Sequence, residues 1–211
     1  MKNEKRILAI SDVHGNGHLL TKLLQAANYS PNIDQLIMLG DYINKGPDSI
    51  GTLQVIHALC KEGAVALAGN NELKWLQSID KDAVNWQPFL TSLPFWKEIA
   101  PFVFVHAGLK KDVPLREQHM EDLTGINPPS FDDFPDKIVV FGHTPTFRLR
   151  SDVDRVWLHK GMIGIDTGAG HGYNLSLVDL TNWVVYAIST NDQRLETYSL
   201  DKQIVFGHTY E

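Results

Sequence analysis

Cysteine is nearly missing from this chain: Cys60 is the only one in 211 residues. That excludes a disulfide within the chain and a thiolate cage for a structural metal. Cys60 itself lies in a helix-like stretch and reads as a small apolar filler rather than a nucleophile. Long apolar runs are missing too, and no segment reaches the roughly 20 residues that a membrane-spanning helix needs. Positive charge is in short supply. The 19 Lys and Arg against 25 Asp and Glu leave a net charge of -6, without the basic footprint of a nucleic-acid or anionic-membrane binder. The opening "MKNEKRILAI" passes from charges into a strand-like run and lacks the pattern of a secretory signal. Linkers, low-complexity runs and internal repeats are absent as well. With 43% hydrophobic and 21% charged residues, the expectation is a single domain over residues 1–211 with one substantial core, in a reducing cytoplasm.

What the chain does have is a series of short apolar runs closed by turn residues. "RILAI" (6–10), "QLIML" (35–39) and "AVALA" (64–68) read as strands. They alternate with stretches of helical spacing, "HLLTKLLQAA" (18–27) and the segment after Ser49. "FVFV" (102–105), "IVVF" (138–141) and "MIGI" (162–165) follow, then "YNLSLVDL", "WVVYAIST" and "RLETYSL", joined by short Asp/Asn turns. The aromatic-rich "WQPFLTSLPFW" (86–96) reads as helix and turn laid over the core. A βαβα front and a β-rich back predict an α/β layered fold, with a mixed sheet or two stacked sheets flanked by helices.

Five of these strands end in loops that carry ligating side chains: Ser11-Asp12-Val13-His14-Gly15, Gly40-Asp41, Gly69-Asn70-Asn71-Glu72, His106-Ala107-Gly108 and Gly142-His143-Thr144. In α/β sheets, sites gather beyond the carboxyl ends of strands. Convergence would assemble Asp12, His14, Asp41, Asn70, His106 and His143. Two carboxylates, three imidazoles and a carboxamide oxygen suit Mn, Fe, Zn or Co better than Ca. Six donors exceed what one catalytic metal uses while keeping an open position. Two metals fit better, about 3.5–4 Å apart, clamping a phosphoryl group and supplying a nucleophile at neutral pH. Asp41, the lone carboxylate at its strand end, is the natural bridge.

The order "SDVHGN", "GDYINKGPDS", "GNNE", "VHAGL", "VVFGHTPT" and "IDTGAGHG" resembles the phosphoprotein-phosphatase branch of the calcineurin-like metallophosphoesterases, and above all the short bacterial and phage serine/threonine phosphatases. The resemblance covers about residues 6 to 180. It implies a four-layer α/β/β/α sandwich with a two-metal centre, manganese foremost and Fe, Zn, Co or Ni as alternatives. Asp12, His14 and Asp41 would hold the first ion, and Asp41, Asn70, His106 and His143 the second. The implied substrates are phosphorylated proteins, small molecules or nucleotides.

Departures from the family pattern lie around this ligand set. Asn44 stands where the family loop has a second Asp, and Lys45 replaces its Arg. Asn71 stands where the family has a catalytic histidine, whose role with its Asp partner is to protonate the leaving group. A carboxamide has no proton to give at neutral pH, and Lys45 keeps the charge but not the bidentate fork. The family's second phosphate-binding arginine has no counterpart at Thr124-Gly125-Ile126-Asn127, with Arg116 and Arg148 as substitutes to place. His171 reads as a surface histidine, a relocated acid or a substrate contact. Three functions remain open: a phosphatase-like phosphoesterase, a dinucleoside-polyphosphate hydrolase or phosphodiesterase, and a non-catalytic metal-containing phospholigand-binding protein. Of the catalytic assignments, Asp41, Asn44 and Asn71 occupy the family's reactive positions, and Lys45 and Asn71 its phosphate-binding ones.

Overall fold

Alternation along the strands decides which side chains meet. In β1 (Arg6–Ile10), Leu8 and Ile10 enter one apolar cluster and Ala9 another, as the period of two requires. A strand with both faces covered reads as a continuous apolar run, which is why "RILAI" shows no polar alternation. The computed structural model describes residues 5–78, 81–126, 137–149 and 154–207.

After β1 come α1 (Gly17–Ala26), β2 (Asp34–Met38), α2 (Ser49–Lys61), β3 (Val65–Ala66), α3 (Asn70–Leu76) and α4 (Lys81–Leu90). The second half holds β4 (Trp96–Ile99), β5 (Phe102–Val105), α5 (Met120–Gly125), β6 (Ile138–Phe141), β7 (Trp157–His159) and β8 (Met162–Gly164). It closes with β9 (Asn174–Asp179), β10 (Val184–Ser189), β11 (Leu195–Ser199) and α6 (Lys202–Phe206). One sheet has the order β11-β10-β9-β1-β2-β3 and the other β4-β5-β6-β8-β7. Both are mixed: β1 pairs parallel with β2 and antiparallel with β9, while β5, β6 and β8 run parallel between antiparallel edges.

Leu19, Leu20 and Leu23 of α1 and Leu53 and Ile56 of α2 pack on the outer face of the first sheet. Between the sheets lie Ala9, Ile37 and Val178 of the first and Phe104, Val140 and Ile163 of the second. The far face of the second sheet, Val103, Val139 and Phe141, is covered by Leu109 and by Leu123 of α5. Helix, sheet, sheet and helix make the four layers expected. Burying one such Leu, Ile or Phe stabilises by about 1.5–3 kcal/mol, so the inter-sheet seam holds the two strand sets in fixed relation.

Several elements differ from the sequence expectation. "AVALA" forms only a two-residue strand, because the chain leaves the sheet at once to enter the Gly69 loop. The aromatic segment does cover the core: Leu90 and Leu93 are buried, and Trp86, Phe89 and Phe95 pack beside them. Its helix begins earlier, at Lys81. Cys60 lies half-buried against the same core, its thiol pushed up to about 11 by burial, as a filler rather than a nucleophile would be. Among the described residues no helix is long and apolar enough to cross a membrane.

Candidate metal centre

The loops after β1 and β2 are stitched together beyond the sheet. Asp12 N donates to Gly40 O (3.1 Å), His14 N to Asp41 O (2.9 Å) and Gly15 N to Tyr42 O (2.7 Å). Following each other this closely forces sharp turns. Asp12, His14, Asp41, Asn44, Lys45 and His143 all sit at positive φ, between 44° and 66°. Such backbone costs on the order of 1–3 kcal/mol per residue and persists where surrounding structure imposes it. Gly40, at φ 96°, allows the closest approach: a Cβ there would lie 2.6 Å from Gly69 N. The loops after β2 and β3 therefore touch, and Asp41 meets Asn71.

The six donors expected from the sequence come together as two groups that share one residue. Asp12, His14 and Asp41 form the first, and Asp41, His106 and His143 the second, with ligand atoms within 4.8 Å of one another in each. Asp41 faces both ways. Its Oδ2 lies 3.8 Å from His14 Nε2 and its Oδ1 3.5 Å from His106 Nε2. Asn70 Oδ1 joins the second group, 3.0 Å from His106 Nε2 and 2.8 Å from His143 Nδ1.

Hydrogen bonds at the rear of two rings fix which nitrogen faces inward. His106 Nδ1 reaches Leu39 O (2.7 Å) and His14 Nδ1 reaches Ile43 O (3.0 Å). A carbonyl only accepts, so each Nδ1 carries hydrogen, and in the neutral ring each Nε2 presents a lone pair. Those lone pairs face Asn70, Asp12 and Asp41 oxygens, which are acceptors too. Acceptor facing acceptor at this spacing fits a cation between them, with the carbonyls setting the tautomer as ligand-orienting partners do. In keeping with that, His106 is raised above its usual range: burial opposes the charged ring, but Asp41, Asp12 and Glu72 outweigh it. Asp41 is held low despite burial, by His106, His14 and the hydrogen bonds from Asn71. At His14 Nε2 the positive charge present is Lys45 Nζ, 3.2 Å away.

Asn44 and Asn71 form a chain that ends on Asp41. Asn44 Nδ2 donates to Asn71 Oδ1 (3.0 Å), Asn71 Nδ2 donates to Asp41 Oδ2, and Asn71 N donates to Asp41 Oδ1 (2.9 Å). Neither amide carries a titratable proton.

Residues that the sequence reading did not single out shape the same site. Glu72 is fully buried; its Oε2 accepts from Asp41 N (2.9 Å) and Gly69 N (3.0 Å), and its Oε1 from Tyr42 N (2.8 Å). It clamps the Asp41 loop onto the start of α3. Burial and the Asp41 carboxylate push it up to about 7, against His106 and the backbone donors. Asp166, buried after β8, is raised well above its usual range by burial and by Asp12, while Gly168 N donates to its Oδ1 (3.0 Å). Ser11 Oγ and His143 N (2.8 Å) both donate to Asp12 Oδ2. Glu72 and Asp166 both lie inside motifs visible in the sequence, Glu72 in "GNNE" and Asp166 in "IDTGAGHG", which by themselves assign neither a role. Of the two candidate arginines, Arg148 lies over the Phe147 ring. Arg116 is exposed on the turn Leu115–Glu117, and no described contact joins it to the site. Asn127 lies outside the described residues.

Two stacked mixed sheets, with paired donor clusters sharing a carboxylate beyond their strand ends, define a metallophosphoesterase architecture. The family model for calcineurin-like phosphoesterases matches residues 5–211, and the chain belongs to that family. A serine/threonine-protein phosphatase 1 of Salmonella typhimurium is 38% identical over 72 residues, 34% of this chain and 32% of that protein. A symmetrical bis(5'-nucleosyl)-tetraphosphatase of Shewanella oneidensis is 28% identical over 156 residues, 65% of this chain and 57% of that one. The chain thus spans 57% or less of the length of these two relatives. Among solved structures, one assigned provisionally as a diadenosine tetraphosphatase superposes with a TM-score of 0.73 at 24% identity, covering 90% of this chain and 96% of that one. A cold-active protein-tyrosine phosphatase from a psychrophilic Shewanella gives 0.61 at 16% identity, with 93% and 82% covered. At those identities the likeness is one of fold.

Proposed function

We propose that this protein is a metal-dependent phosphoesterase that hydrolyses phosphomonoesters or phosphoanhydrides with two divalent cations, manganese foremost. Asp12, His14 and Asp41 hold one ion in this reading, and Asp41, Asn70, His106 and His143 the other. The observation that carries it is Asp41, whose two oxygens face histidines from different loops and different sheets. When bound, the cations supply Lewis-acid stabilisation of the phosphoryl oxygens and a nucleophile at neutral pH. Lys45 meets the phosphate as a point charge, and Asn71 offers it a neutral donor while holding Asp41 in place. The same reading takes residues 1–211 as one domain, supported by the shared seam between the sheets, and places it in the cytoplasm.

Chelation is the direct test. Protein stripped of metal should hydrolyse 4-nitrophenyl phosphate no faster than a chelated blank, and added Mn should restore turnover. Mn binding without hydrolysis above a metal-only blank would instead make this a phospholigand-binding protein.

Asn71 sharpens the substrate side of the reading. A positioned general acid contributes about 10²–10⁴-fold, and this site has none at that position. Alkoxides, which leave poorly without a proton, bear that loss most; phenoxides and phosphates bear it least. Matched peptides with Mn should therefore show phosphotyrosine turned over at least about tenfold faster than phosphoserine. Equal rates would retire this idea. The tetraphosphatase names among the relatives favour the anhydride branch as the second reading.

A further inference from the structure

Beside the metal centre, the turn Ala169–His171 lies directly over His14 and Lys45. A Cβ at Gly170 would collide with the His14 imidazole and the Lys45 stem, so the backbone of this turn walls the centre on one side. The turn's outer end carries His171, exposed, whose ring meets Phe147 edge-on at 5.4 Å. Tyr173, 39% exposed, tilts against the same Phe147 ring at 5.3 Å. Arg148 places its guanidinium carbon 5.9 Å from the Phe147 centroid. Burial, and then the charges of Lys45 and Arg148, hold the His171 imidazole below its usual range, so both cations are electrostatic neighbours of that ring. Among the described residues, neither Lys45 nor Arg148 is ion-paired with a carboxylate. Two cations that lack a carboxylate partner and a cluster of three partly exposed rings thus lie beside the proposed reaction centre.

We propose that Phe147, Arg148, His171 and Tyr173 form a subsite for the nucleoside end of a phosphoanhydride substrate, with the base on the rings and a second phosphate on Arg148. The proposal deepens the phosphoesterase reading and rests on it. A phosphomonoester brings one anionic group, which Lys45 and the bound cations already meet. A second cation near the same turn suits a second phosphate on the same substrate. Flat, partly exposed rings next to that cation suit a nucleobase, whose π-face stacks whatever its sequence of substituents. A phosphoserine side chain has neither the ring nor the second charge, and a phenyl phosphate has only the ring. The chemistry agrees with the missing acid. Water's oxygen bonds to the terminal phosphorus as the bridging P–O bond breaks. The bridge electron pair leaves on the nucleotide's own phosphate, beside Arg148, and the water's protons end on the phosphate products and in solvent. That leaving group needs no proton from the protein.

Calorimetric titration of the Mn-loaded protein tests this with three unreactive ligands: adenosine 5'-(α,β-methylene)diphosphate, methylenediphosphonate and phenylphosphonate. The nucleotide analogue should bind at least about tenfold tighter than either fragment. Phe147→Leu and Tyr173→Leu should each weaken it about fivefold or more, and Arg148→Gln about tenfold. Phe147 is half-buried, so if Phe147→Leu fails to fold, the exposed Arg148 and Tyr173 carry the test. Equal affinity for the nucleotide and phenylphosphonate, or ring and arginine variants all within twofold of the parent, would overturn the subsite. The expected binding pattern without any hydrolysis would keep the subsite and sink the phosphoesterase reading. Aryl phosphate hydrolysis without the binding pattern would do the reverse.

Discussion

Replacing Asp41 by asparagine is expected to lower Mn-dependent hydrolysis of 4-nitrophenyl phosphate by at least about 10³-fold, more than loss of a single oxyanion donor costs. The reason lies in the geometry around its two oxygens. Each faces a histidine, His14 on one side and His106 on the other, at 3.8 and 3.5 Å. An amide keeps one oxygen, gives up the charge, and turns an NH2 toward either a metal or the Asn71 donors. Asn71 N and Nδ2 both donate to Asp41, so no flip of the new amide satisfies every neighbour. Metal binding should report the change independently of activity. A ligand at 100 times its Kd stabilises the native state by about 2.7 kcal/mol, which raises Tm by about 5–10 °C for a chain of this size. The parent should show that rise on adding Mn, and Asp41→Asn less than half of it. A folded Asp41→Asn protein that keeps a tenth of the parent activity would end the two-metal reading.

The parts of this centre that were legible share one property: each donor directly follows an apolar strand. β1, β5 and β6 coincide with "RILAI", "FVFV" and "IVVF", since strands covered on both faces leave nothing but apolar residues to read. The donors at their ends could then be placed on one rim without knowing the sheet order. Of the edge strands, β3 and β11 fall in runs that read as strands, while β4 and β7 were not legible. β4, "WKEI", mixes charge with apolar residues, Trp96 and Ile99 packing against different clusters while Glu98 stays exposed, and its strand character comes from pairing with β5. β7 is three residues long and exists through β8. Glu72 shows the same limit within the site. Besides the local Gly69 N, its partners are the backbone N–H groups of Asp41 and Tyr42, about 30 positions earlier and brought close only by the contact of two loops. The aromatic shelf depends on Gly170 sitting against His14, a contact between residues 156 apart that no local pattern carries. Side chains that act through their strand are written in the sequence, and those that act through a meeting of loops are not.

Restoring an acid pair, Asn44→Asp together with Asn71→His, should raise turnover of a phosphoserine peptide by about 10²-fold or more. The two side chains already touch, with Asn44 Nδ2 donating to Asn71 Oδ1 at 3.0 Å. The double change keeps that contact and reverses its direction, a ring N–H at position 71 donating to a carboxylate at position 44. The carboxylate raises the imidazole's pKa, so the ring is charged at neutral pH and has a proton for the leaving alkoxide. One cost is visible in advance. Asn71 Nδ2 also donates to Asp41, and an imidazole pointed at the leaving group gives up that bond, leaving Asp41 the backbone N–H of residue 71. A loss of one such charged hydrogen bond, about 1.5–3 kcal/mol, should appear as a lower Tm rather than as lost chemistry. The decisive readout is selectivity. Phosphotyrosine and 4-nitrophenyl phosphate, with better leaving groups, should gain far less than phosphoserine, and the phosphoserine rate should acquire a fall at alkaline pH as the new imidazole loses its proton. Asn71→His alone, facing an amide instead of a carboxylate, should gain less than the pair. If the folded, Mn-loaded double variant keeps the parent's ratio of phosphoserine to phosphotyrosine rates, the leaving-group argument fails, and the two asparagines serve to orient Asp41 and nothing more.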